Sequence, residues 1–458
     1  MTFIKPDRDL IAKYNISGPR YTSYPTALQF GPFSSDDYRQ SVRESVYRDK
    51  SISLYCHLPF CATICYYCAC NKIVTKDRSR ARHYLDLLKK EIELQAPLFT
   101  GRKVSQLHWG GGTPTFLSDD ELKELMAAIK DQFPLIGDDE GEFSIEVDPR
   151  TVNPQRIELL RSIGFNRLSM GIQDFNESVQ KAVNRLQTFD DTKAVITSAR
   201  KNGFRSISVD LMYGLPFQTL DSVSQTLDQV ISLDPDRVSI YNYAHLPDRF
   251  KSQRRIDALD LPAASTKLDI LMLCIMKLGE AGYIYIGMDH FAKPDDELAV
   301  AQENGSLHRN FQGYSTFSDR DLVALGITGI SNIGHSFAQN AKDLEGYEEM
   351  ISKGLLATEK GVLIDRDDQI RRAVIMKLIC QFELIFEEFD HKFDINFEQY
   401  FSVELKNLNQ LAEDGLLCIE DRTIRITETG RLLARNICMT FDRYLGSQAE
   451  PGRYSRAI

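Results

Sequence analysis

The stretch "LYCHLPFCATICYYCACNK", residues 54–72, holds five of the chain's nine cysteines, Cys56 to Cys70. It grows out of the apolar run "SISLYCHL" (51–58), which reads as a β-strand. A thiol-rich loop at the end of a strand is a place to look for a site, provided the strand belongs to an α/β array. The sequence that follows has that alternation. Strand-like runs recur at 105–109, 143–148, 167–173, 206–214 and 237–245, separated by helix-period segments at 82–95, 119–133, 191–203 and 219–233. Regular strand–helix alternation predicts parallel βαβ units. Six such strands make three-quarters of an eight-unit barrel, although periodicity alone does not separate that from an open, doubly wound sheet.

The ends of the chain differ from this middle. "YNISGPRYTSYPT" lies in an extension ahead of residue 50, and the apolar periodicity at 265–282 predicts a further helix. After about residue 360 the pattern is mainly helical. Residues 367–389 read as one helix, and 401–441 as helix, short hairpin and helix, in the manner of a winged helix. The expected division is therefore 1–50, 51–360 and 361–458.

Composition narrows the function. The 458 residues are 43% hydrophobic and 26% charged, which suits a globular chain with a sizeable core. No apolar run approaches the roughly 18–20 residues of a membrane span. The first residues, "MTFIKPDRDL", lack the apolar segment of a secretory leader, so the expected location is the cytoplasm. A net charge of −10 argues against nucleic acid as a partner. Clustered thiols in a reducing compartment point to a metal centre or catalysis rather than to a disulfide framework.

The loop has the spacing Cys61-x3-Cys65-x2-Cys68, with Cys70 two residues further on. Zinc in a structural site takes four ligands, commonly from two separated pairs, and no second pair follows. A four-iron cluster held by three thiolates keeps one iron open. Cys274, Cys380, Cys418 and Cys438 stand singly in apolar patterns and read as core. "HWGGGTPTF" (108–116) follows the second strand, and its glycines allow the backbone to approach a ligand closely.

The three-cysteine spacing resembles the radical S-adenosylmethionine superfamily, in which the open iron chelates that cofactor and a "GGGTP" segment receives its amino group. The resemblance extends further. "SGPRYTSYPT" (17–26), "HLPFC" (57–61), "CNKIVT" (70–75), "QLHWGGGTPTF" (106–116), "SIEVDPR" (144–150), "GFNRLSMGIQDFN" (164–176), "DLMYGLP" (210–216), "YNYAHLP" (241–247), "GMDHFAKPDDELAVAQ" (287–302) and "HRNFQGYST" (308–316) occur in order. Together they resemble the oxygen-independent coproporphyrinogen III oxidases over essentially the whole chain.

That resemblance implies an α/β fold. It would be a partial (β/α)6 barrel, with the extension 1–50 covering the active site and a mainly helical domain at 361–458. It implies conversion of two propionates of coproporphyrinogen III to vinyl groups, with a [4Fe–4S] cluster and S-adenosylmethionine as cofactors. Cys61, Cys65 and Cys68 match the cluster ligands. Tyr55, Tyr67, Gly111, Gly112, Thr113, Glu146, Gln173, Arg185, Asp210, Ala244 and Ile330 match positions implicated in binding S-adenosylmethionine. The family holds two such molecules, and Ile330 with Gln312 matches the second site. An unidentified electron donor and a monomeric state are expected.

Two positions depart from the family pattern: Cys56 replaces a small aliphatic residue, and Ala69 replaces a glycine between the third and fourth cysteines. Cys56 is expected to pack as a small hydrophobe. Cys70 is expected to serve activity without binding iron. Arg20, Arg249, Lys251, Arg254, Arg255 and Arg309 are candidate partners for substrate carboxylates, and His57, His290 and His308 are candidate lining residues. Two other readings are a related haem chaperone without decarboxylase activity and a zinc-stabilised binding module.

Overall fold

A computed structural model describes residues 7–138, 140–445 and 454. The chain folds as two compact units that are not contiguous in sequence. One comprises residues 29–262 and 319–363, and the other 1–28, 263–318 and 364–458. This differs from the sequential division 1–50, 51–360 and 361–458, whose first six residues and most of whose last thirteen lie outside the described residues.

The first unit is built on six parallel strands: β1 (Ile52–Leu58), β2 (Val104–Gly111), β3 (Glu142–Val147), β4 (Arg167–Gln173), β5 (Ser206–Tyr213) and β6 (Arg237–Asn242). They pair in chain order, each with its successor. A doubly wound sheet reverses its strand order at a switch point. A strictly sequential order winds one way, which is the barrel choice that periodicity left open.

Helices join the strands, and their ends follow from the sequence. In Asp119–Gln132, Ser118 and Glu121 form a capping box, three acidic residues occupy the first turn, and Leu122, Leu125, Met126 and Ile129 are buried. In Leu220–Ser232, Thr219 and Ser222 form the cap, and Val223, Thr226, Leu227 and Val230 are buried. A helix at Pro154–Ile163, opened by the Asn153 cap and closed by Gly164, went unread because its apolar stripe is short.

The strands bury one face against these helices and turn the other inward. Ile145 and Val147, Leu168, Met170 and Ile172, and Val209 and Leu211 are buried. Ser144, Glu146, Ser169, Gly171, Gln173, Ser208 and Asp210 alternate with them and are half-buried. The register sets Glu146 beside Ser169 and Ser169 beside Ser208, so one row of polar positions crosses three strands, and Asp210 lies beside Gly171 in the next inward row.

Beyond β1 the sheet continues with β7 (Leu322–Leu325), parallel to it, and then the antiparallel β8 (Ile330–Ile333), β9 (Ser336–Asn340) and β10 (Thr358–Leu363). Gly31–Pro32 pairs with β10.

In the second unit the segment 283–298 forms the hairpin Ile284–Gly287 with His290–Ala292 and the start of the helix Glu297–Glu303. Residues 367–389 are not one helix. The helix Arg366–Gln381 stops at Phe382, whose φ is 59°, and Glu383–Ile385 forms a strand before the next helix, Phe386–Phe393. That strand joins the expected hairpin, Leu417–Glu420 with Thr423–Ile426, in a three-stranded sheet. Residues of the N-terminal extension pack on this part of the chain. Tyr21 donates to Asp442 at 3.0 Å, Arg435 to the Pro19 carbonyl at 2.7 Å and Asn436 to the Tyr14 carbonyl at 2.9 Å. No described helix is long and apolar enough to cross a membrane.

Candidate active site

The cysteine loop is an excursion closed by two short parallel strands, Phe60–Cys61 and Ile73–Val74. Ile73 N–H donates to the Pro59 carbonyl at 2.7 Å and Thr75 N–H to the Cys61 carbonyl at 3.0 Å. The interior of the loop is fastened from several directions. Tyr66 N–H donates to Val183, Asn184 to Ile64, Gln253 to Tyr67, and both Lys72 and Ser252 to Cys68, all through main-chain carbonyls at 2.7–3.3 Å. The side chains of Tyr66 and Tyr67 pack on the apolar cluster of Val179, Val183, Leu215, Tyr243 and Ile256. The aromatic pair before Cys68 therefore acts as an anchor for the loop.

Cys61, Cys65, Cys68 and Cys70 all line a cavity of about 520 Å³ at the C-terminal ends of the strands. Pockets for cofactor-sized ligands run to ~300–1,000 Å³. Each sulfur meets different chemistry. Cys61 Sγ lies 3.5 Å from Thr113 Oγ1. Cys65 Sγ accepts from the guanidinium groups of Arg150, at 3.7 Å, and Arg185, at 3.6 Å. Cys68 is pulled down to about 6, first by a hydrogen bond from the Cys70 thiol and, against the effect of burial, by the charge of Lys72. Cys70 is raised by the same interaction. Cys61 is pushed up to about 11 by burial.

The opposite wall is a hydrogen-bonded set centred on Glu146. Its carboxylate accepts from His108 Nε2 at 3.2 Å and from the Gly111 N–H at 3.1 Å. Burial works to raise Glu146, but these donors outweigh it and hold the carboxyl below its ordinary value. His108 Nδ1 pairs with Ser144, and its ring stacks on Tyr55 at 5.8 Å. The Tyr55 hydroxyl reaches His57 Nδ1 at 3.0 Å, while His57 Nε2 lies 3.1 Å from the Asn71 carbonyl. A carbonyl can only accept, so Nε2 carries the proton and Nδ1 accepts from Tyr55.

The glycines are demanded by space. A Cβ on Gly112 would lie 2.5 Å from the Pro59 carbonyl carbon and oxygen, and one on Gly111, whose φ is 112°, would meet the His57 ring at 2.5 Å. A Cβ on Gly110 would stand 2.8 Å from Glu146 Oε1.

Asp210 is pushed up to about 7 by burial and by the charge of Glu146, with Ser239 opposing. The unfolded chain releases this proton near 3.8, so between 3.8 and about 7 the folded state holds an extra proton. Stability therefore falls through that interval as pH rises, and the loss is constant above it. Asp210→Asn is expected to melt higher than the parent at pH 8 and to converge with it at pH 4, as read by calorimetry. A difference independent of pH would show that Asp210 is ionised throughout.

The cavity brings together Tyr67, Gly111, Gly112, Thr113, Glu146, Gln173, Arg185 and Asp210 with Cys61, Cys65, Cys68 and Cys70. Tyr55 stands behind His108 and Glu146. Ala244 follows β6, and Ile330 opens β8; neither lines the cavity. Gln312 belongs to the second unit, in the turn between His308–Asn310 and Gly313–Ser315, with its N–H donating to Asn310 at 2.8 Å. Among the basic candidates, Arg20 pairs with Asp289, and Arg255 reaches the Tyr66 hydroxyl at 3.3 Å.

Lys72, Asp148 and Arg150 also line the cavity and were not singled out from the sequence. Asp148 is the next inward position after Glu146, a signal available in the strand alternation. Cys56 is fully buried within β1, and burial pushes its thiol well up, as a small core residue requires.

Comparison with known proteins agrees with this geometry. A family model for the radical SAM superfamily matches residues 55–230, and one for the HemN C-terminal domain matches 364–433. The chain is 52% identical over 460 residues to the oxygen-independent coproporphyrinogen III oxidase of Pseudomonas aeruginosa, with 99% of each chain covered. It is 50% identical over 453 residues to that of Escherichia coli, covering 99% of this chain and 98% of the relative. The solved structure of the Escherichia coli coproporphyrinogen III oxidase, described as a radical SAM enzyme, superposes with a TM-score of 0.92 at 49% identity. That match covers 96% of this chain and 100% of the other.

Proposed function

The chain belongs to the oxygen-independent coproporphyrinogen III oxidases, and from that premise we propose that it converts the ring A and ring B propionates of coproporphyrinogen III to vinyl groups, yielding protoporphyrinogen IX for haem synthesis. The observation that carries the proposal is the identity over nearly the whole length of named oxidases, joined to a cavity lined by the cysteine loop. Each vinyl group requires loss of a β-hydrogen, carbon dioxide and one electron.

The residues suit a [4Fe–4S] cluster with S-adenosylmethionine. Three thiols on one fastened loop form the donor set of a cluster with one iron open. The glycines opposite form a cradle that any Cβ would fill. Bound there, the pair supplies the one-electron chemistry that removes hydrogen from an unactivated carbon, which side-chain acids and bases cannot do.

The protein contributes binding and placement. Cys61, Cys65 and Cys68 would hold iron. Glu146, kept ionised by His108 and the Gly111 N–H, would accept from the cofactor's amine or hydroxyl groups. Tyr67, Gly112, Thr113, Gln173, Arg185 and Asp210 would complete its surroundings, and Tyr55 would fix the ring of His108. Ala244, Ile330 and Gln312 are assigned to the cofactor on the family match, the last two to a second molecule. We read residues 1–50 as the cover of the site. We take the chain to work as a cytoplasmic monomer with a separate low-potential electron donor.

An anaerobic assay with coproporphyrinogen III, S-adenosylmethionine and a low-potential reductant is expected to yield protoporphyrin after oxidation. Omitting S-adenosylmethionine or admitting oxygen should abolish it. Full turnover in air would refute the assignment.

A further inference from the structure

Charge is unevenly distributed over the sulfurs of Cys61, Cys65 and Cys68. Cys61 meets a neutral hydroxyl, and Cys68 meets one cation, Lys72, whose nearest hydrogen bond goes to the Cys68 main-chain carbonyl at 2.8 Å. Cys65 receives two guanidinium groups from elements far apart in sequence. Arg185 follows the short helix Glu177–Ala182, and Arg150 sits in the tight turn Pro149–Thr151 that closes β3.

Asp148, which caps that turn, ties the two together. Arg150 grips its carboxylate with both arms of the fork, Nε to Oδ1 at 2.9 Å and Nη2 to Oδ2 at 2.6 Å, and Nη2 also reaches Cys65 Sγ. Arg185 Nη1 lies 3.4 Å from the same Oδ2, and its Nη2 donates to the Gly171 carbonyl at 2.6 Å. The side chains of Arg150, Arg185 and Asp148 are 21%, 9% and 10% exposed, so their charges are weakly screened. Two cations and one anion leave one net positive charge against Cys65.

We propose that Arg150, held by Asp148, is a positioning residue that raises the reduction potential of the cluster through Cys65. This rests on the proposed ligation by Cys61, Cys65 and Cys68. Reduction adds negative charge to a cluster, and charged N–H donors to its sulfurs favour the reduced form. Arg185 has its own work at Gly171 and the cofactor. Arg150 spends its fork on Asp148 and the sulfur. Without Arg150, the sulfur loses one charged donor, and Asp148 cancels the charge of Arg185.

The test compares the parent with Arg150→Met and Arg150→Lys, all purified without oxygen. Iron and sulfide are measured per chain. The cluster is then titrated against potential, without S-adenosylmethionine, with its paramagnetic reduced form as the readout. Arg150→Met should keep the parent's iron and titrate at a more negative midpoint. At the parent's midpoint, its ratio of reduced to oxidised cluster should fall about tenfold, which is a shift of about 59 mV for one electron. Arg150→Lys keeps the charge but loses the fork, so it should lie between the two. An unchanged midpoint in Arg150→Met, or loss of iron from both variants, would overturn the inference. A parent lacking iron and sulfide would overturn the cluster reading itself.

Discussion

Cys65→Ser protein prepared without oxygen is expected to lose most of its iron and sulfide and all measurable vinyl formation. Cys61→Ser and Cys68→Ser should do the same. All three sulfurs face one cavity from a loop pinned at both ends, and Cys70 is the fourth cysteine that lines it. Cys70 is the nearest substitute, yet its thiol is engaged with Cys68, the position of a donor to a ligand sulfur. Cys70→Ser should therefore keep iron while activity falls. Cys56 is a different case, because it is fully buried in β1 between Leu325 and Trp109 in register. A buried hydroxyl without a partner costs about 1–3 kcal/mol, so Cys56→Ala is the better control and should match the parent in iron. Iron and sulfide analysis beside the anaerobic assay decides the matter. If Cys70→Ser strips iron as thoroughly as Cys65→Ser, the cluster has four protein ligands and the proposed open iron is wrong.

What the sequence disclosed follows the range of the interactions involved. Period-2 alternation is local, so "FSIEVD" and "SISVDLMYG" announced the strands on which Glu146 and Asp210 sit, while the face those residues share needed the structure. The antiparallel extension β7–β10 escaped because Leu322–Leu325 and Ile330–Ile333 are four residues each, too short to show a period. The run 367–389 looked like one helix because its apolar spacing continues across Phe382, whose left-handed backbone breaks it in favour of pairing with Thr423–Ile426. Arg150 was hidden for another reason. Its partners are Asp148, Cys65 and, through Asp148, Arg185, and nothing local in "DPRT" states that residues 65 and 185 will arrive there. The positions proposed for the cofactor on the family match were legible as words in a sequence, while the hydrogen bonds that fix Glu146 and His57 required coordinates.

Gly112→Ala is expected to reduce turnover by about a hundredfold, the scale of a 1 Å misplacement of reacting groups, and to cost about 1–3 kcal/mol of stability, as overpacking does. The added methyl would sit 2.5 Å from the carbonyl of Pro59 and 2.8 Å from that of Phe60. Both are backbone, so no side chain can rotate aside. The two hydrogen bonds that flank the contact, Gly112 N–H to Leu58 at 2.9 Å and Thr113 N–H to Phe60 at 2.8 Å, must lengthen as the segments part. Phe60 immediately precedes Cys61, and Thr113 carries the hydroxyl 3.5 Å from the Cys61 sulfur. The displacement therefore falls on Cys61, the first of the proposed cluster ligands, and on the glycine cradle together. Gly137→Ala is the matched control, since a Cβ there meets nothing within 4 Å. Melting temperature, iron content and anaerobic turnover are measured on both. Gly137→Ala should be indistinguishable from the parent. Gly112→Ala that keeps its iron and turns over at the parent's rate would mean that the cradle yields without cost, and that the spacing between the glycines and the cysteine loop is not what places the cofactor.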